Sequence, residues 1–190
     1  MRKNFGVKNW LYPMPVLIVG TYDENGNPKM QRNTLYIPEG KKPLIVTFDD
    51  PNYYEYMLEN GFTYKLIIGE DGKIWSWGLD PDGNEVISRD LDAVTILDKF
   101  VEEHPDFSPF GAKACMGLTG FEGIFGYRTM PSVIESNSQE YFDNEVKNAK
   151  EVVQFLRDAG YTLACYTYNN INYDTKDASG IQSDLRKWAE

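Results

Sequence analysis

Four short apolar runs, Pro15–Tyr22, Leu44–Phe48, Gly111–Leu118 and Tyr161–Tyr168, constrain most strongly what this chain can fold into. Each reads as a strand, three of them buried or apolar throughout. Helical patterns stand between most of them. Asp90–Glu103 carries Leu91, Val94, Leu97, Phe100 and Val101 on one face and ends at His104-Pro105. After Ser136-Asn137-Ser138-Gln139, a capping-box sequence, Phe142, Val146, Ala149, Val153 and Leu156 recur at helical spacing up to Gly160. Ile181, Leu185 and Trp188 predict a final helix. Strands that alternate with helices imply a mostly parallel α/β sheet, flanked by helices and joined by right-handed crossovers.

The pattern changes between residues 62 and 88. Tyr64–Ile68, Lys73–Trp77 and Glu85–Ile87 are short extended pieces separated by Glu70-Asp71-Gly72 and by Asp80–Gly83, which predicts a small antiparallel meander inserted into the main sheet. Near the start, Asn25-Gly26 within Asp23–Pro28 signals a turn, with Lys29–Ile37 returning as a second strand. The 190 residues are expected to form a single α/β domain, and 42% apolar with 14% aromatic content excludes wholesale disorder. A net charge of −10 and a pI near 4.6 argue against nucleic acid or an anionic membrane as partners. The first residues are basic, but their uninterrupted apolar stretch is only Val16–Val19, so neither signal peptide nor anchor is expected and the cytoplasm is the default. Cys115 and Cys165 both fall in candidate strands and read as core thiols.

Chemistry concentrates in Lys41–Met57, KKPLIVTFDDPNYYEYM. Asp49 and Asp50 follow the apolar run at its carboxyl end, where α/β proteins place their sites. One carboxylate of such a pair can hold a metal or a sugar hydroxyl while the other takes a proton from water. Equally, Asp50 before Pro51 has the form of a helix start, an N-cap followed by proline, opening a Tyr-rich helix that carries Tyr54, Met57 and Leu58 and stops near Asn60-Gly61. Trp75 and Trp77 share one strand face, as a stacking platform or as packing. His104, the only histidine, sits where a helix dipole favours it. Arg128 lies in a glycine-rich loop, GLTGFEGIFGYRT, that matches no phosphate-cradling motif; it reads as an anion holder or a surface arginine.

Three ordered blocks, IPEGKKPLIVTFDDPNYYEYM, AVTILDKFVEEHPDFSPFGAKACMGLTGFEGIFGYRT and VVQFLRDAGYTLACYTYNNINY, resemble the NodB-like polysaccharide deacetylases from about Tyr36 to Glu190. That resemblance implies a distorted α/β barrel that removes acetyl groups from amino sugars with a divalent metal such as zinc. It makes Asp49 the general base and Asp50 a metal ligand. Two histidines of the family fall at Tyr166 and Asn170 here, and neutral tyrosine and asparagine are poor zinc ligands. The chain also ends before the family's late histidine. Relatives of this type are often extracellular.

Residues 5–28, NFGVKNWLYPMPVLIVGTYDENGNP with its flanks, resemble the opening of flavin reductase-like, FMN-binding split barrels, but stop before the flavin phosphate segment. Two signatures joined without the functional end of either imply a chimeric, degenerate or designed chain. The fold expected is an incomplete deacetylase-type barrel or an open sandwich, its exposed edge closed by the strand at 15–22 or by a second copy in a homodimer. The function expected is that of a catalytically silent, deacetylase-like domain that binds carbohydrate, with Asp49 and Asp50 accepting hydroxyl hydrogen bonds and Tyr53, Tyr54, Trp75 or Trp77 stacking on the sugar. No cofactor is expected in that case. The alternatives are a metal-dependent deacetylase built on Asp50, an FMN-binding protein, and a scaffold without activity.

Overall fold

The computed structural model describes residues 20–22, 28–30, 39–40, 44–108 and 111–189. Two compact units divide the chain, Met1–Pro43 and Leu44–Glu190. In the first, β1 (Gly20–Tyr22) and β2 (Pro28–Met30) form an antiparallel ribbon with Thr21 opposite Lys29. The described part of the strand expected at 15–22 thus pairs with its own return strand. The remainder of that strand, the Asn25-Gly26 turn and the end of the return strand lie outside the described residues.

The second unit holds a parallel sheet of β3 (Thr47–Asp49), β7 (Cys115–Leu118) and β8 (Thr162–Cys165), in the order β3-β7-β8. Among the described residues no barrel closes, and β3 and β8 are the edges of this sheet. The apolar run at Leu44 was expected to be buried, yet Leu44 and Ile45 are 69% and 75% exposed, because strand pairing starts only at Thr47. Between β3 and β7 stand the one-turn helix α1 (Glu55–Leu58), the meander β4 (Thr63–Ile68), β5 (Ile74–Leu79) and β6 (Glu85–Ser88), and helix α2 (Ala93–Glu103). The meander is antiparallel throughout, as the turn signals imply, with Gly72 and Gly83 supplying positive φ at its two turns. Between β7 and β8 come α3 (Val133–Ser136) and α4 (Gln139–Asp158), and α5 (Ala178–Ala189) follows β8. Asp92 caps α2 by accepting from the Val94 amide, and Ser138 caps α4 by accepting from Tyr141. Among the described residues, no helix is long and apolar enough to cross a membrane.

The core joins Leu66 and Ile74 of the meander, Val94 of α2, Met116 and Leu118 of β7, and Ala149, Val152 and Leu156 of α4. Apolar spacing finds the inward helix faces in part: Val94 in α2 and Ala149 and Leu156 in α4 are buried as predicted, but polar and charged residues share those faces. In α2 Thr95 and Asp98 are buried beside Val94, while Leu91, just before the helix, and Phe100 are exposed. In α4 Glu145 is buried beside Ala149, and in α5 Asp184 is buried while Leu185 is exposed. Each of these acids has partners, as burial of charge requires. Asp98 meets Arg89 at 2.8 Å and also Lys113; Glu145 meets Lys65 at 3.0 Å and the Arg128 amide; Asp184 accepts from the amides of Tyr168 and Asn169.

The loop after β7 ties the two sheets together. Phe125 is fully buried and its carbonyl accepts from Leu66 of β4, Tyr127 donates its hydroxyl to the Leu66 carbonyl, and the Gly126 amide donates to Asn52. Gly126 has φ +85°, and a Cβ there would run into the Tyr64 carbonyl. The cysteines depart from the core-thiol expectation, since Cys165 is exposed on an edge strand and Cys115 only part-buried. Cys115 lies opposite Thr162, and Cys165 opposite Leu118. The thiols are therefore offset by about 10 Å along adjacent strands, too far for a disulfide.

Candidate functional site

Asp49 ends β3, and the chain turns sharply at Asp50, whose backbone is left-handed with φ 57°. This conformation rules out the helix-start reading. Helix α1 begins at Glu55 with Tyr54 as its N-cap, and Pro51-Asn52 form a turn. The Asp50 amide donates to the Gly117 carbonyl of β7 at 2.8 Å, so the turn is stitched to the carboxyl edge of the parallel sheet.

Three side chains organise the Asp50 carboxylate. Tyr54 donates its hydroxyl to both oxygens at 2.7 and 2.8 Å, and Thr119, just past β7, donates to Oδ1 at 3.1 Å. Thr119 is held in turn by Asn52, whose Nδ2 lies 2.8 Å from the threonine hydroxyl and 2.7 Å from its carbonyl. Burial holds the Asp50 carboxyl above the usual aspartate range; the Tyr54 and Thr119 hydrogen bonds oppose this shift and the charge of Asp49 adds to it. Burial likewise pushes the Tyr54 phenol well up, so it stays a donor at any physiological pH.

Residues 50–53 concentrate unfavourable features. Asp50 and Tyr53 both have φ 57°, and among the described residues the buried Asn52 Oδ1 and Tyr53 hydroxyl have no partner in hydrogen-bonding geometry. Asp92 is the charged group beside that phenol. Left-handed non-glycine residues and unsatisfied buried oxygens cost about 1–3 kcal/mol each and cluster at functional sites. Around the carboxylate the surface is aromatic. The Tyr54 ring lies 5.9 Å from Phe121 and 6.3 Å from Tyr56, and the latter two are 43% and 63% exposed.

Of the residues singled out in the sequence, Asp49, Asp50 and Tyr54 meet at this edge, with Asp49 exposed. Tyr53 and Arg128 do not face solvent. Tyr53 is 3% exposed, and Arg128 is 5% exposed with its guanidinium donating to the carbonyls of Tyr53 and Glu122 and stacking over Tyr64. Arg128 fastens the glycine-rich loop and offers no anion site. Trp75 and Trp77 share the outer face of β5, opposite buried Ile74 and Ser76, where Trp75 donates to Asp71 and Trp77 packs on Tyr64. His104 terminates α2, with its ring 4.5 Å from Phe100. Thr119, Asn52, Phe121 and Tyr56 were not singled out; Thr119 lies 69 residues from Asp50, a separation that no local pattern reports.

Tyr166 and Asn170 follow β8 at the same edge, and the Tyr166 ring lies against Gly117, the residue that receives the Asp50 amide. This donor set is poor for a metal: Tyr166 and Asn170 are neutral, and among the described residues no three His, Cys, Asp or Glu side chains converge. No protein-family model matches the chain, and no curated protein or solved structure is significantly similar to it.

Proposed function

We propose that the carboxyl edge of the parallel sheet binds a carbohydrate without hydrolysing it, on a scaffold related to polysaccharide deacetylases. The observation that carries this is the Asp50 carboxylate, fixed by Tyr54 and Thr119 and flanked by the exposed rings of Tyr56 and Phe121. An oriented carboxylate accepts sugar hydroxyls in a fixed direction, and exposed rings cover the apolar face of a pyranose. Tyr54 and Thr119 fill only part of the carboxylate's acceptor capacity, so further acceptor positions remain for ligand. Asp49, exposed beside it, is a second acceptor.

The chain's own groups bind and orient, and no hydrolytic step follows from them. The positions that would complete a metal site carry a phenol and an amide, Tyr166 and Asn170. Titration calorimetry with N-acetylglucosamine and its β-1,4 oligomers tests the proposal. Binding that Asp50→Asn weakens about tenfold, the loss of roughly one charge-assisted hydrogen bond, supports it. Acetate release that requires added zinc and vanishes in Asp50→Ala would instead establish a metal-dependent deacetylase.

A further inference from the structure

The meander has two unlike faces. On one, Leu66, Ile74 and Ser76 are fully buried, and Ser76 meets Thr95 of α2. On the other, β5 turns out Trp75, Trp77 and Leu79, with Ile67 opposite Trp75 and Ile87 opposite Trp77. The solvated face of an antiparallel sheet is ordinarily polar. These five apolar residues belong neither to the hydrophobic core nor to the partly buried side chains packed against it, and Ile87 is 54% exposed. A contiguous apolar face left outside the core marks an interaction surface.

Both indoles are held in place. Trp75 lies against Gly69 and donates its Nε1 to Asp71 at 3.0 Å, and Trp77 rests on Tyr64 with ring centres 5.7 Å apart. They stand two residues apart on one strand, about 7 Å, which is also the spacing of alternate side chains in an extended peptide.

The frame of this face is acidic. Glu70 and Asp71 lie in the turn at one end of β5, Asp82 lies in the turn at its other end about 20 Å away, and Glu85 sits opposite Leu79. All four are exposed, and among the described residues none forms an ion pair. The cations of the meander are engaged elsewhere, Lys65 with Glu145, Lys73 with Glu102 and Arg89 with Asp98. Nucleic acid, an anionic membrane or a second copy of this chain, itself at −10, would each bring like charge to this frame.

We infer that the outer face of the meander docks an extended basic segment of another protein, with arginines at alternate positions stacked on Trp75 and Trp77 and further cations reaching Glu70, Asp82 and Glu85. A guanidinium suits both halves of the surface, since its plane stacks on an indole while its charge answers the acids. None of these residues belongs to the Asp50 site, so the inference stands apart from the carbohydrate reading.

The test uses a dye-labelled peptide of alternating arginine and serine, long enough to cover β5, titrated by fluorescence anisotropy at about 0.15 M salt. Its targets are wild type, Trp75→Leu, Trp77→Leu, a rim variant (Glu70→Gln, Asp82→Asn, Glu85→Gln) and a control variant that removes equal charge from α3 and α4 (Glu135→Gln, Glu140→Gln, Glu151→Gln). Thermal unfolding verifies that each is folded, and the rim variant keeps both rings should a tryptophan variant fail. Expected is binding that the rim variant and each folded tryptophan variant weaken by about tenfold or more, while the control variant binds like wild type. Equal weakening by rim and control variants, or tryptophan variants that bind like wild type, would reduce the effect to net charge and overturn the docking surface. Absence of binding to wild type would overturn it too. Sedimentation of wild type as a dimer that Trp77→Leu dissociates would put a second copy on this face instead of a basic partner.

Discussion

The Tyr54 hydroxyl reaches both carboxylate oxygens of Asp50, at 2.7 and 2.8 Å, from four residues further along the same turn. A tyrosine that follows a left-handed aspartate at this distance acts as a latch. It holds the carboxylate against the sheet edge while the backbone of Asp50 stays in a conformation that few non-glycine residues adopt.

Removing the latch is expected to lower both stability and affinity. Tyr54→Phe deletes a donor to an ionised acceptor, a bond worth about 1.5–3 kcal/mol, while keeping the ring beside Phe121. Chemical denaturation gives the stability change. Titration with sugar oligomers gives the affinity. A variant that loses neither would remove Tyr54 from the site.

Strain at Asp50 predicts an opposition between stability and function. Asp50→Gly relieves φ 57° and removes a half-buried carboxylate, so its melting temperature should equal or exceed that of wild type while sugar binding is lost. A clear fall in melting temperature would mean that the carboxylate's hydrogen bonds outweigh the strain.

The pH dependence separates two acids by sign. Asp50 has its folded pKa raised above 3.8 by burial, so the folded state binds the proton more readily than the unfolded chain. Its contribution is fully present below 3.8 and is lost as pH rises through the folded value. Stability of wild type relative to Asp50→Asn should therefore fall as pH increases over that window. Glu102 behaves oppositely. Hydrogen bonding from Arg89 is the largest cause lowering it from 4.5 to about 2, so its contribution is present above 4.5 and lost as pH falls towards 2. Glu102→Gln should flatten that acid limb, to a degree limited by the solvent exposure of its side chain. Urea unfolding at a series of pH values reads both slopes.

Asp98 is 3% exposed between Arg89 and Lys113, and its loss leaves two cations facing a buried space. Asp98→Ala is expected to destabilise by about 3–5 kcal/mol in denaturant titration. A triple variant with Asp98→Leu, Arg89→Met and Lys113→Met should recover much of that loss. Equal destabilisation of both would show that the cations are not the cause.

The meander was legible because its signals are local: glycines at the turns, alternation along β5 between buried Ile74, Ser76 and Gly78 and the two outward tryptophans, and a stop at Asp80–Gly83. The long helices were legible because their apolar periodicity is local, but their caps were not: Ser136 of the expected capping box ends α3, and Asp92 and Ser138 cap α2 and α4. Helix faces were legible in part: Val94, Ala149 and Leu156 are buried as their spacing implies, but the charged residues among them were not foreseen. Apolar spacing treats charge as outward, whereas Asp98, Glu145 and Asp184 each point inward to partners brought from distant segments. The site was half legible. Asp49, Asp50 and Tyr54 are contiguous, but the left-handed turn that denies Asp50 its capping role depends on Thr119 and Gly117, which only the folded sheet brings near.

The loop that carries Phe125 and Gly126 has a mechanical consequence for the whole second unit. Its backbone is bonded to β4 on one side and to the Asn52 turn on the other, so the antiparallel and parallel sheets share one seam. Neither sheet can open while that seam holds. Amide protons of β5 and β7 should then exchange with solvent through a single common opening, and Gly126→Ala, which forces the seam apart at the Tyr64 carbonyl, should accelerate both together.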